Sequence, residues 1–167
     1  MANPNKPRIY RRLPRWDYPG YGYFLNICTI DRRPIFNDPA LAEAMLGLYV
    51  ARRDKGKFLL HGYVIMPDHY HVIISPRNQP SISGIVRKIH SDFDRDYLAP
   101  LGFPKRLWQR RFFDHLIRDK EDFLTRLNYC HNNPAEAELV EDILDWPWSS
   151  ARFWETGSGS VRCDGWE

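Results

Sequence analysis

The chain has 167 residues, 43% of them hydrophobic and 27% charged, a size and composition that suit one globular domain burying about 70% of its unfolded surface. No apolar run approaches the ~20 residues needed to span a bilayer, and the basic, proline-containing N-terminus lacks the apolar stretch of a signal peptide. The three cysteines, Cys28, Cys130 and Cys163, lack metal-ligand spacing and read as reduced thiols, which excludes a disulfide scaffold.

The net charge of +3 hides a polarised chain. Residues 1–15 carry five basic residues and no acid, residues 84–120 a net +4, and residues 121–167 a net −7. Basic segments of this kind suit a phosphate-backbone binder, although a solvated surface has the same appearance.

In chain order, residues 1–20 are an aperiodic Arg- and Pro-rich arm. Tyr21 to Ile30 has the aromatic and β-branched content of a buried strand. Asp38 followed by Pro39 predicts a capped helix to about Asp54, with Leu41, Met45, Leu48 and Tyr49 as its apolar stripe. Two strands follow, Lys57 to Met66 and His69 to Pro76, joined by a turn at Pro67-Asp68. Ser81 caps a second helix to about Tyr97, and Phe112 to Arg118 reads as an edge strand. Asp119 starts a third helix to about Asn132, with Pro134 marking its end. Residues 135–155 are short and aromatic and are expected to pack on the domain, whereas 156–167 are expected to be a flexible tail. The domain proper is therefore placed at 21–155. The order strand, helix, two strands, helix, strand, helix predicts an α+β fold, a ferredoxin-like antiparallel sheet with packed helices.

Within the third predicted strand, His69 and His71 are two residues apart and so share one face, with Ile73, while Tyr70, Val72 and Ile74 take the other. Two imidazoles so placed can converge on one divalent ion. On the last long helix, Phe123, Leu124, Leu127 and Cys130 form the core-facing stripe at about 100° per residue. Tyr129 points away from that stripe, with Asn133 one turn later and Arg126 one turn earlier on its side. The ordinary reading is an amphipathic tyrosine and a helix-capping asparagine. The chemical reading is a phenol nucleophile with a metal ligand one turn away. A phenol needs an electrophile made more reactive, and an ion held by His69, His71 and the Asn133 carbonyl oxygen would polarise a phosphate. Mixed nitrogen and oxygen donors suit Mg²⁺ or Mn²⁺.

Four ordered blocks, Y-V-I-M-P-D-H-Y-H at 63–71, W-Q-R-R-F-F-D-H-L-I-R at 108–118, Y-C-H-N-N-P at 129–134 and D-W-P-W-S-S at 145–150, resemble the single-tyrosine HUH transposases. Among these, the match is to the REP-associated tyrosine transposases, over roughly residues 20–152. The resemblance implies that His69 and His71 are the metal-binding pair, Tyr129 the nucleophile and Asn133 the third ligand. It further implies cleavage and rejoining of single-stranded DNA at short palindromic hairpins through a 5′-phosphotyrosine, in a cytoplasmic, nucleoid-associated enzyme. Insertion-sequence relatives usually carry Gln four residues after the tyrosine; Asn133 agrees with the REP-associated branch. Both a monomer and a homodimer fit the family.

The DNA contacts expected from the sequence are Arg8, Arg11, Arg12 and Arg15 in the arm, beside Tyr10 and Trp16, where bases stack while guanidinium groups take phosphates. Arg87, Lys88, Arg110, Arg111, Arg118 and Arg126 are candidates for the hairpin backbone. His115, His61 and Trp108 are assigned structural or supporting roles. Two other readings are a hairpin-binding DNA- or RNA-binding protein without catalysis and a metal-dependent hydrolase of small phosphates; the complete His-Tyr-His, Tyr129 and Asn133 set argues against the first, the basic arm against the second.

Overall fold

Alternation decides the sheet. The computed structural model describes Tyr18, residues 20–78 and residues 81–166; residues 1–17, which hold the four arm arginines, lie outside these. Four antiparallel strands, β1 (Gly22–Cys28), β2 (Phe58–Ile65), β3 (His69–Pro76) and β4 (Phe113–Ile117), line up in the order β2-β3-β1-β4. Together with α1 (Pro39–Asp54) and α2 (Ile82–Phe93) this is the ferredoxin-like βαββαβ arrangement expected from the sequence. The two remaining helices are α3 (Lys120–Glu136) and α4 (Ala151–Thr156). Among the described residues no helix is long and apolar enough to cross a membrane.

The two faces of the sheet have separate jobs. Tyr23, Leu25 and Ile27 of β1 and Tyr70, Val72 and Ile74 of β3 pack with the buried stripes of α1 and α2. On the other face Phe24, Ile73 and Ile117 meet Phe123 and Leu127 of α3. Asp38 caps α1 by accepting from the Ala40 N–H at 2.9 Å, and the Ser81 hydroxyl accepts from the Gly84 N–H at 2.9 Å to start α2. After Phe93 the same helix widens into a single π turn, Asp94–Leu98, and Gly102, at φ 75°, ends the following 3-10 turn in a conformation that favours glycine.

Close approach between sheet and α3 depends on Gly62. A Cβ there would lie 2.6 Å from Cδ1 of Leu127, inside van der Waals contact. Gly62→Val is expected to push α3 off β2 and to cost about 1–3 kcal/mol in denaturant unfolding; an unchanged midpoint and slope would show that the interface has slack.

Three expectations are corrected. Pro134 does not end α3: the helix runs on to Glu136 with the proline inside it. Pro134 has no N–H for the Cys130 carbonyl, but it is buried, and the last turn is held by the Ala137 N–H donating to the Asn133 carbonyl at 3.0 Å. Leu124, placed on the core stripe, is exposed, because the buried line of α3 runs through Phe123, Leu127, Cys130 and Pro134. The C-terminal segment is packed rather than loose. The Asp164 N–H donates to the Leu60 carbonyl and its carboxylate accepts from the Leu60 N–H, both at 2.8 Å; Cys163 is buried, and Trp166 stacks on Phe123 with centroids 4.7 Å apart.

The aromatic stretch before α4 packs as expected and closes the outer side of β2. The Ile65 N–H donates to the Trp148 carbonyl at 2.8 Å and the Ser150 N–H to the Tyr63 carbonyl at 2.9 Å. Trp146 and Trp154, both half-buried, donate their indole N–H groups to the Ile65 and His61 carbonyls, so both have a partner for the polar atom.

Candidate active site

The face of the sheet under α3 carries the candidate site. His71 pairs with Asn26 and His69 with Cys28 across β1, and because β3 is an inner strand both imidazoles stand on backbone held from two sides. Their ring centroids are 4.9 Å apart. Tyr129 of α3 comes to the same place in the same chain, its ring 5.5 Å from that of His71. The phenol is 45% exposed, so solvent and a substrate strand can reach it.

His71 is fully buried, and neither ring nitrogen has a hydrogen-bond partner among the described residues. Burial, and then the neighbouring His69, hold its pKa down to about 3, against the opposing pull of the Asn133 carboxamide and the Leu25 backbone. The ring is therefore neutral at pH 7, with a lone pair to offer. Leaving buried polar atoms unpaired costs about 1–3 kcal/mol each, a cost that a bound ligand would relieve. Phe24 stacks on one face of this ring, centroids 5.1 Å apart, and fixes its plane.

His69 is oriented differently. Its Nδ1 lies 2.6 Å from Oδ1 of Asp68; the carboxylate accepts, so Nδ1 carries a proton and Nε2 is the ring nitrogen not engaged by Asp68. A carboxylate behind an imidazole in this way fixes tautomer and orientation in metal-binding histidines. Asp68 is itself held by Arg32, whose Nε is 3.3 Å from Oδ2, while Nη1 of Arg32 donates to the Cys28 sulfur at 2.9 Å. Burial pushes the Cys28 thiol up, despite Arg32, so that sulfur stays protonated and is a poor ligand. Asp31 and Arg32 both adopt left-handed backbone, φ 54° and 53°, a strained choice for such side chains. Thr29, fully buried, pins the loop with a hydroxyl 2.9 Å from both the Arg33 and Asp68 carbonyls.

Asn133, one turn after Tyr129, donates its Nδ2 to the Tyr129 carbonyl at 3.0 Å, so that its Oδ1 is the atom with acceptor capacity on the His71 side. Among the described residues no group of three or more His, Cys, Asp or Glu could hold a metal ion. A divalent ion here would thus depend on a carboxamide as its third protein donor. The donor set fits one: two imidazoles, one of them buried with unpaired nitrogens, and an amide oxygen.

One turn before Tyr129, the Arg126 guanidinium carbon lies 5.8 Å from the centre of the Phe24 ring and its Nε 3.5 Å from Asp122. Asp122 also accepts from His115 at 2.9 Å and from the Arg118 N–H at 3.2 Å. Burial raises the pKa of this carboxyl, but His115 and the other donors outweigh it and hold it below the usual range. His115 therefore organises β4 against α3, the structural role expected of it. Trp108 stacks on His90 at 3.9 Å and donates to Asp94 at 2.8 Å, and His61 is hydrogen-bonded to Ser75 and to the Asp164 carbonyl; both support the core.

The structure brings together His69, His71, Tyr129, Asn133 and Arg126. Arg118 lies beside Asp122, and Arg110 and Arg111 are exposed just before β4. Arg87 and Lys88 sit on α2, across the sheet from the histidines. Lys88 is paired with Asp92 at 2.7 Å, and Arg87 lines a cleft of about 730 Å³ with Arg95, Lys105 and Arg110. Asp68, Arg32 and Phe24 were not singled out from sequence. A carboxylate immediately before the first histidine is a readable sign; Arg32 reaches the site through a loop conformation no periodicity reveals.

An antiparallel sheet that brings a His-x-His pair to a helix-borne tyrosine is the arrangement expected from the resemblance to the single-tyrosine transposases. The sequence profile of the IS200-like transposases matches residues 19–133, and the chain belongs to that family. A Haemophilus influenzae protein assigned as a REP-associated tyrosine transposase is 34% identical over 138 residues, 77% of this chain and 78% of its own length. The REP-associated tyrosine transposase of Escherichia coli is 31% identical over 100 residues, 59% of this chain and 57% of that one. A solved REP-associated tyrosine transposase bound to a REP hairpin superposes with a TM-score of 0.71 at 26% identity, covering 93% of this chain and 92% of that one. Within the family, the chain falls in the REP-associated tyrosine branch.

Proposed function

We propose that this transposase is a divalent-metal-dependent single-stranded DNA endonuclease and strand transferase that acts at REP-type hairpins, with Tyr129 as nucleophile. The observation that carries the reading is the meeting, in one chain, of the Tyr129 ring with the buried, unpartnered His71 imidazole at 5.5 Å. A hairpin as substrate is supported by the REP hairpin held by the structural relative.

In the cleavage step the Tyr129 oxygen forms a bond to phosphorus, the bond from phosphorus to the 3′ oxygen breaks, and that oxygen leaves as a 3′-hydroxyl after taking a proton from solvent. The phenol proton passes to the water that reaches the half-exposed side chain. The product is a 5′-phosphotyrosine, which conserves one phosphodiester-like bond. Attack by another 3′-hydroxyl forms the new phosphodiester, breaks the bond to Tyr129 and returns the phenol, so the strand is rejoined without an external energy source. His69, His71 and Asn133 would hold Mg²⁺ or Mn²⁺, which when bound supplies positive charge against that developing on the phosphate. Arg126, which lies over Phe24, and Arg32, which holds Asp68, are cations near the site that phosphates of the bound strand would meet.

The test is incubation of the protein with a labelled REP-type hairpin oligonucleotide in Mn²⁺ or Mg²⁺, followed by a denaturing gel. A protein-linked labelled fragment is expected; hairpin binding without any adduct would favour occupancy without chemistry. Asp68→Asn, which weakens the acceptor behind His69, is expected to raise the Mn²⁺ concentration needed for adduct formation about 10–100-fold. An unchanged metal titration would deny Asp68 that role.

A further inference from the structure

β4 opens with a phenylalanine that the core does not use. Phe113 is 56% exposed, yet its side chain is on the same face as His69 and His71. Asn26 pairs with His71 on one side and with Phe113 on the other, so the three residues make one row across β3, β1 and β4. At the normal strand spacing Phe113 lies roughly 10 Å from His71 along this row. It meets Phe24 edge-on, centroids 6.5 Å apart, and Phe24 in turn contacts both His71 and Tyr129. The result is a chain of ring contacts that starts at the nucleophile, passes through the buried Phe24 and ends on an exposed ring.

Cations border that chain of rings. Arg111 is exposed two residues ahead of Phe113 and forms no ion pair among the described residues, whereas Arg110 lines the cleft on the α2 side; Arg126 lies over Phe24. An exposed ring with guanidinium groups beside it is the chemistry that holds unpaired nucleotides, since any base has a face to stack and each phosphate takes a cation. A paired stem cannot offer such a face without opening.

Resting on the reading that Tyr129 attacks a DNA strand, we infer that Phe113 is the stacking platform for the unpaired base next to the scissile phosphate. The site then grips its substrate on both sides of the phenol: phosphate at His69, His71 and Asn133, base at Phe113. Stacking on any base makes this a positioning contact with little sequence preference.

The test uses Tyr129→Phe protein, which is expected to bind without cutting, and a REP-type hairpin whose unpaired flanks carry 2-aminopurine at one position at a time. At one position the fluorescence is expected to fall on binding. The fall should vanish when Phe113→Ser is added and survive with Phe113→Tyr. If no position responds to Phe113→Ser while the hairpin remains bound, the inference is overturned. In a second arm, removing the base at the responsive position is expected to slow adduct formation by otherwise unmutated protein about tenfold. The same removal should cost Phe113→Ser protein nothing more, and an equal loss in both proteins would also overturn it. Absence of any adduct in the unmutated protein would instead sink the nuclease reading, which the fluorescence arm does not depend on. Because Phe113 is exposed, the serine variant is expected to keep its melting temperature.

Discussion

Tyr129→Phe is expected to abolish the covalent adduct, a loss of roughly 10⁴-fold or more in its rate of formation, while hairpin affinity stays close to that of the parent. The substitution removes one oxygen and leaves the ring, so the packing of Tyr129 against Phe24 and His71 survives. Neither nearby thiol among the described residues is equipped to replace it: Cys28 is held in its protonated form, and Cys130, next in sequence, is buried with its thiol pushed far up by the apolar surroundings. The measurement is a denaturing gel on labelled hairpin with a binding assay in parallel. Adduct of undiminished yield would move the nucleophile elsewhere and would leave the Tyr129–His71 contact without a catalytic meaning.

The second large effect is expected at His71. On the proposed reading His71→Ala takes away one of two imidazole donors, and since disturbing only the support of a metal ligand costs about 10–100-fold in metal affinity, the loss should be at least about 100-fold. Adduct formation should become insensitive to added Mn²⁺ and EDTA because little dependence remains, and calorimetric Mn²⁺ titration should lose its site. Folding is expected to change less than burial suggests. The alanine leaves a cavity, but it also removes two buried nitrogens without partners, and these contributions oppose one another. A variant that binds and responds to Mn²⁺ like the parent would refute the assignment of His71 as a ligand.

Much of this arrangement is legible in the chain because its parts follow simple periods. His69 and His71 alternate with Tyr70 and Val72, so the strand and the shared face of the two histidines follow from polarity alone. Tyr129 and Asn133 are one helical turn apart, and the antiparallel ferredoxin-like order follows from the succession of patterns and turns. What sequence did not reveal depends on non-periodic geometry. The loop that carries Arg32 to Asp68 is set by two left-handed residues and one buried threonine. Pro134 reads as a stop because its missing N–H is visible and its burial is not. The segment at 158–166 has the Gly- and Ser-rich composition of a loose end, but Asp164, Cys163 and Trp166 find partners on β2, in the core and on α3 that only the folded chain supplies.

That docked segment has a further consequence. Trp148 to Ser150 and Asp164 occupy backbone groups along the outer side of β2, where a sheet would otherwise present a ladder ready to recruit a foreign strand. With one border so occupied, the place left for edge-to-edge association is β4, only five residues long. The longer margin of the sheet is thus sealed against amyloid-like growth by segments of the same chain.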